Sequence, residues 1–210
     1  VPGTTSADIV STVLTTTTAP SGAGVGKTQL QAAVDCAAST VFILAEHNDR
    51  FNAVTLATTI TNHITMLDAL TAAGKMCIVS TDIPTGNSTD GTKRLSGTQL
   101  AYHMGFRDWV MNVMPGLYPG MAYALDHWLG MEDQATAATA GDILVAAAVD
   151  AVHPSCFGGH QMALPAIDVT TGLVPRSSPR IGMRGDVYDA ANNPNGNLLG
   201  ANGYGFDAGT

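Results

Sequence analysis

Thr40-Val41-Phe42-Ile43-Leu44-Ala45 runs into Glu46-His47-Asn48-Asp49, and Met76-Cys77-Ile78-Val79-Ser80-Thr81 follows after an intervening helix-patterned stretch. Both runs are short, apolar and rich in β-branched residues, the mark of strands buried on both faces. Between them, Val54 to Ala73 carries Leu56, Ile60, Ile64, Leu67 and Leu70 on one helical stripe, with Gly74 as a C-terminal stop. Strand, helix and strand in this order predict parallel strands joined by a right-handed crossover.

Outward from this unit the alternation continues. Residues 29 to 38 read as a short helix, and Thr85 to Gly97 as a polar surface loop. Leu100 to Met114 form an amphipathic helix that Pro115-Gly116 should stop, and Met121 to Leu125 offer a third strand. The expected architecture is a three-layer α/β/α sandwich around a mostly parallel sheet, flavodoxin-like in outline. In such sheets the functional loops collect at the carboxyl ends of the strands. From Val169 the periodicity gives way to Thr170-Thr171-Gly172, Ser177-Ser178-Pro179 and Asn192-Asn193-Pro194-Asn195-Gly196. Residues 1–168 are therefore expected to form the domain, and 169–210 a loop-rich C-terminal extension, either an arm or the lead into a further domain.

Composition narrows the partners. With 210 residues and 45% hydrophobic content the chain can bury a core, yet only 12% of it is charged. A net charge of −8 argues against nucleic acid and against an anionic membrane surface, since both require basic patches. No apolar run reaches membrane-spanning length. Cys36, Cys77 and Cys156 are odd in number and irregular in spacing, so they suggest neither a disulfide framework nor a zinc site. Cys36 and Cys77 read as small apolar residues within a helix and a buried strand. His103 and His127 lack partners at metal-ligand spacing, His63 reads as structural or exposed and His160 as packing or capping, and neither a metal nor a cofactor is expected.

The chemistry concentrates in Asp150-Ala151-Val152-His153-Pro154-Ser155. An Asp three residues before a His, on a loop entering a helix, can hold one imidazole nitrogen and leave the other to take a proton from a nucleophile. Ser155 suits the cap of the helix that follows. A competing motif is Ser21-Gly22-Ala23-Gly24-Val25-Gly26-Lys27-Thr28, close to a phosphate-binding loop. Its first Gly is replaced by Ser21, and Thr15 to Pro20 make a poor buried strand, so a flexible loop before a helix accounts for it better.

Asp150 and His153 before a helix resemble the last block of the SGNH (GDSL-type) hydrolases, D-x-x-H-P. Two further blocks stand in family order: Val1-Pro2-Gly3-Thr4-Thr5-Ser6-Ala7-Asp8, similar to the second, and Phe42 to Asp49, similar to the third, a strand ending in G-x-N-D. The resemblance covers about residues 1 to 168. It implies a serine esterase of acetylesterase type, with His153 as base, Asp150 as its orienting carboxylate, and Asn48 and the Gly3 amide as oxyanion donors. His47 is a candidate for the substrate cleft.

Glu46 departs from the family Gly. The G-D-S block with the nucleophilic Ser is absent, so that Ser is expected from a segment upstream of Val1. The implied substrates are esters, O-acetylated carbohydrate among them. The alternative is a structural or receptor-binding component of an extracellular or virion assembly, such as a tail or capsid appendage, that keeps the fold without activity. Either reading suits an extracellular or virion-associated protein that forms a homo-oligomer or joins a larger assembly.

Overall fold

A computed structural model of the chain describes residues 4–15, 24–87, 89–136 and 141–173. Its centre is a parallel sheet of three strands, β1 (Thr40–Ile43), β2 (Met76–Ser80) and β3 (Ala122–Leu125), in the order β1-β2-β3. Thr40 pairs with Met76 and Ile43 with Val79, while Cys77 pairs with Ala122 and Ser80 with Leu125. The crossovers carry the helices. Those before and after β1 are α1 (Ser6–Ser11), α2 (Gln29–Asp35), α3 (His47–Phe51) and α4 (Leu56–Ala72). After β2 comes α5 (Gly97–Asp108), continued by a π turn (Trp109–Val113) and α6 (Met114–Leu117). The last, α7 (Cys156–Leu173), runs past Val169.

One face of the sheet packs on the main core. Ile43, Cys77, Val79 and Ala122 meet Met66, Leu67 and Leu70 of α4 and Phe106, Trp109, Val110 and Met114 of the α5–α6 segment. Burial of these side chains supplies the main driving force, at about 25 cal/mol per Å² of apolar surface. His63 is enclosed here between Phe106 and Trp109 and faces the Thr59 carbonyl through Nδ1; burial keeps its pKa below the ordinary value. Alternate strand residues Ile78, Ser80 and Leu125 are buried on the opposite face. A second apolar cluster of Ile83, Met131, Ile143 and Ala147 anchors α7 through Met162.

Two expectations are corrected. Burial on both faces holds for β2, whose Cys77 to Ser80 are all buried, but not for β1, where Phe42 is 51% and Leu44 45% exposed. Among the described residues β1 has a strand neighbour on one side only, so nothing there covers that side of its second face. Pro115 does not stop the helix. The chain widens into the π turn, in which Met114 N–H reaches the Trp109 carbonyl, and Pro115 thereby falls in the first turn of α6. In that place its missing N–H costs nothing.

Candidate functional site

The segment after β3 turns back against the chain that leaves β2 as a tight hairpin. Val149 N–H donates to the His153 carbonyl at 2.8 Å and Ser155 N–H to Ala147 at 2.9 Å, leaving Asp150, Ala151 and Val152 at the tip. Ala151 adopts a left-handed φ of 62°, a strained conformation for a residue with a Cβ. That turn folds the Asp150 carboxylate back over its own loop. One oxygen accepts the N–H groups of Val152 (3.2 Å) and His153 (2.8 Å), and the other faces His153 Nδ1 at 2.7 Å. The His153 N–H, its imidazole and the Val152 N–H hold the carboxyl down to about 2. An ionised Asp150 thus fixes the proton on Nδ1 and leaves the lone pair on Nε2, with the imidazole 76% exposed.

The body of the fold grips this loop at two points. Gly86, in the segment leaving β2, donates its N–H to the Ala151 carbonyl at 2.8 Å. Gly86 has a φ of 79°, and a Cβ there would come within 2.4 Å of the Arg94 backbone nitrogen. On the other side Ser155 caps α7, its Oγ accepting Gly158 N–H at 3.1 Å and donating to the Ala146 carbonyl at 2.7 Å.

The second and third blocks of the sequence also meet. Asn48 donates from Nδ2 to the Thr4 carbonyl at 2.8 Å. Asp49 is fully buried and accepts the Ser6 N–H at 2.7 Å together with the hydroxyls of Ser6 and Thr59. Start of chain, α3 and α4 are thereby tied at one point. Gly3 lies outside the described residues. No hydrogen bond among the described residues joins the Asp150–His153 pair to Asn48.

Beneath His47 and Asn48 lies a polar network that no local spacing announces. His47 Nδ1 is 2.7 Å from Asp82 Oδ2, and Arg50 Nη2 donates to the same oxygen at 2.7 Å. Arg50 Nη1 lies 3.2 Å from His103 Nδ1, which also stands 3.0 Å from Glu46 Oε2. Glu46, Arg50, Asp82 and His103 are all buried, and the His103 ring stacks on Trp128 at 4.0 Å. Burial alone would raise the Asp82 pKa, but the His47 hydrogen bond and the Arg50 guanidinium outweigh it and hold the carboxyl below its usual range. Glu46, where the resemblance leads one to expect Gly, has become a core carboxylate. The usable signal for Asp82 was its place at the carboxyl end of an apolar strand.

Other candidates resolve as structure. Ser80 and His127 are in contact at 2.6 Å, but Ser80 is fully enclosed, and burial lowers the pKa of His127. The Gly-rich loop, as far as it is described, returns to Leu14 through the Lys27 carbonyl, and Lys27 pairs with Asp35 at 2.5 Å. Trp109 and Trp128 are core residues. Cys77 is buried, whereas Cys36, expected to be a small apolar residue inside a helix, ends α2 and is exposed, as is Cys156.

No protein-family model and no curated protein sequence matches the chain. Solved structures do. A crystal structure from Bacteroides fragilis NCTC 9343, of a protein assigned as an acylhydrolase, matches with a TM-score of 0.53 at 15% identity over 70% of each chain. A carbohydrate esterase family 3 protein from Talaromyces cellulolyticus matches with a TM-score of 0.55 at 18% identity, over 84% of this chain and 70% of that one. The chain therefore has an SGNH-hydrolase-like α/β fold. At these identities the likeness establishes architecture and leaves the chemistry to the site.

Proposed function

We propose that this chain forms an ester hydrolase domain of serine type, in which His153 and Asp150 work on a Ser delivered by a segment upstream of Val1. The observation that carries the reading is the Asp150–His153 pair, with Nδ1 committed to an ionised carboxylate and Nε2 left open, in a hydrolase-like fold. The Ser hydroxyl attacks an ester carbonyl as its proton passes to His153 Nε2, and His153 then returns that proton to the leaving alkoxide. Water repeats the sequence to release the acid. Asn48 and the Gly3 amide serve as donors to the tetrahedral oxyanion.

The open side of β1 supports the delivery of the Ser. Phe42 and the following Leu44 are exposed, and they join Ile9, Leu30, Val41 and Ile43 in lining a groove of about 220 Å³ along that open edge. A further parallel strand paired there would cover both and end beside Asn48. The substrates are esters, with O-acetylated carbohydrate the favoured class, and the setting is extracellular or virion-associated. The rival is a binding or structural component that keeps the fold without the chemistry. It is favoured by the absence, among the described residues, of any hydroxyl bonded to His153 Nε2.

Acetate release from an acetylated xylan by the native full-length polypeptide tests the choice. Release that disappears in His153→Ala supports the hydrolase. Release that survives the substitution removes His153 from the chemistry, and none from folded protein supports the rival.

A further inference from the structure

The hairpin that carries Asp150 and His153 has little side-chain burial to hold it, since both side chains are largely exposed. Its base is fixed by the Val149–His153 and Ser155–Ala147 backbone hydrogen bonds, and its tip by Gly86 N–H on the Ala151 carbonyl. Gly86 therefore sets where the left-handed turn at Ala151 sits, and with it the fold of the Asp150 carboxylate over His153.

Gly86 is itself gripped from two sides. Its carbonyl accepts the Ile143 N–H at 2.7 Å, and the Arg94 backbone lies against it where a Cβ would stand. Ile143 is fully buried in the second apolar cluster, and the residue before it, Asp142, is a fully buried carboxylate. Arg94 reaches Asp142 from the surface in a two-pronged contact, Nε to Oδ1 at 2.9 Å and Nη2 to Oδ2 at 2.7 Å. One planar ion pair thus locks the two neighbours of Gly86 to each other. The chain leaving β2 is buried through Thr85, Gly86 and Asn87, turns at Gly91–Lys93, and comes back over Gly86 with Arg94.

A buried carboxylate costs stability unless it is paired, and apolar residues of similar volume can hold a loop as well. The guanidinium fork differs from an apolar contact in fixing direction and distance. A reacting group gains most from that, because a misplacement of about 1 Å can cost on the order of a hundredfold in rate.

We infer that Arg94 and Asp142 are positioning residues for the Asp150–His153 pair, acting through Ile143 and Gly86 on the Ala151 carbonyl. The kinetic consequence rests on the hydrolase reading, whereas the consequence for the hairpin does not.

Hydrogen exchange of the intact protein, read amide by amide by NMR, tests the hairpin without turnover. In Arg94→Gln and in Asp142→Asn the Gly86, Val152 and His153 N–H groups should exchange about tenfold faster or more, while Cys77 to Val79 in β2 keep their wild-type rates. Arg94→Lys keeps the charge but gives up the fork, and should show a smaller acceleration at the same amides. Leu67→Val, a core change on α4, should do the reverse and speed β2 more than the hairpin. Hairpin rates that stay unchanged in the Arg94 and Asp142 variants, or that rise equally with those of β2, overturn the proposal whatever the enzyme activity proves to be. The second measurement is kinetic. On an aryl acetate Arg94→Gln should lower kcat about tenfold with KM within about twofold, and Arg94→Lys should recover part of the loss. Leu67→Val should leave kcat within about twofold. An undiminished kcat in a variant whose hairpin has loosened would contradict the positioning role. A loosened hairpin in a protein whose wild type shows no turnover would support the tie and count against the hydrolase reading alone.

Discussion

Asp49 and Ser6, far apart in sequence, are joined by a carboxylate that takes both the backbone N–H of Ser6, at 2.7 Å, and its hydroxyl. Thr59 of α4 donates to the same carboxylate. Three donors thus converge on one buried carboxyl group; its removal takes the partner of the Ser6 N–H, while Thr59 Oγ1 keeps its contact with Tyr102 Oη and Ser6 Oγ keeps the Asn62 amide. Asp49→Ala should destabilise the fold by about 3 kcal/mol, and Ser6→Ala by about 1 kcal/mol. Denaturant midpoints measure both, and equal small losses would show that the junction is not a structural anchor.

His153 and Asp150 behave in the opposite way. Their side chains are 76% and 55% exposed, so His153→Ala should leave the denaturant midpoint nearly unchanged, within about 0.5 kcal/mol. The same substitution should lower kcat for ester hydrolysis by about four orders of magnitude, and Asp150→Asn by a similar factor through the wrong imidazole tautomer. Because Asp150 is held at about 2, it stays ionised across the working range. Steady-state kinetics beside equilibrium unfolding on the same preparations check the dissociation of activity from stability.

The hairpin carrying the pair depends on Gly86. Gly86→Ala forces a Cβ onto the Arg94 backbone at a left-handed φ, and it should disturb the N–H that holds the Ala151 carbonyl. A stability loss of about 1–3 kcal/mol is expected, together with a fall in kcat larger than in Gly74→Ala. Gly74 has a similar φ but open space around it and no tie to the loop. Equal effects on kcat would remove Gly86 from the account of the site.

Acid should weaken the fold through Asp82 and Asp126. Burial pushes each carboxyl up, but the His47 hydrogen bond and Arg50 at Asp82, and Arg107 at Asp126, more than reverse it, so both folded values lie below the ordinary range. The unfolded chain therefore takes up these protons first as pH falls through about 4. The stability these groups confer is complete above that point and is lost as pH drops through the lower folded values. Denaturant midpoints between pH 7 and 3 should fall, and Asp126→Asn should flatten the slope.

How much of this was legible follows from where each interaction lives. The Asp150–His153 pair is local, three residues apart on one loop, and its spacing announced it. The strands were legible as short apolar runs rich in β-branched residues, and α4 from its 3.6-residue period, since burial sets both patterns. Phe42 misled because an apolar strand residue looks the same whether or not a neighbouring strand covers it. Pro115 misled because a π turn can absorb a proline without ending the helix. The network from Glu46 and Arg50 to Asp82 and His103 was illegible, since polar residues so far apart in sequence are brought together by topology alone.

Labelling of the native full-length polypeptide with a fluorophosphonate, with the adduct mapped by mass spectrometry, tests the central claim most directly. The account predicts one modified Ser, in a peptide upstream of Val1, with the label lost in His153→Ala. No adduct on folded protein, or an adduct indifferent to His153, would contradict it and leave an inherited hydrolase fold serving binding or structure.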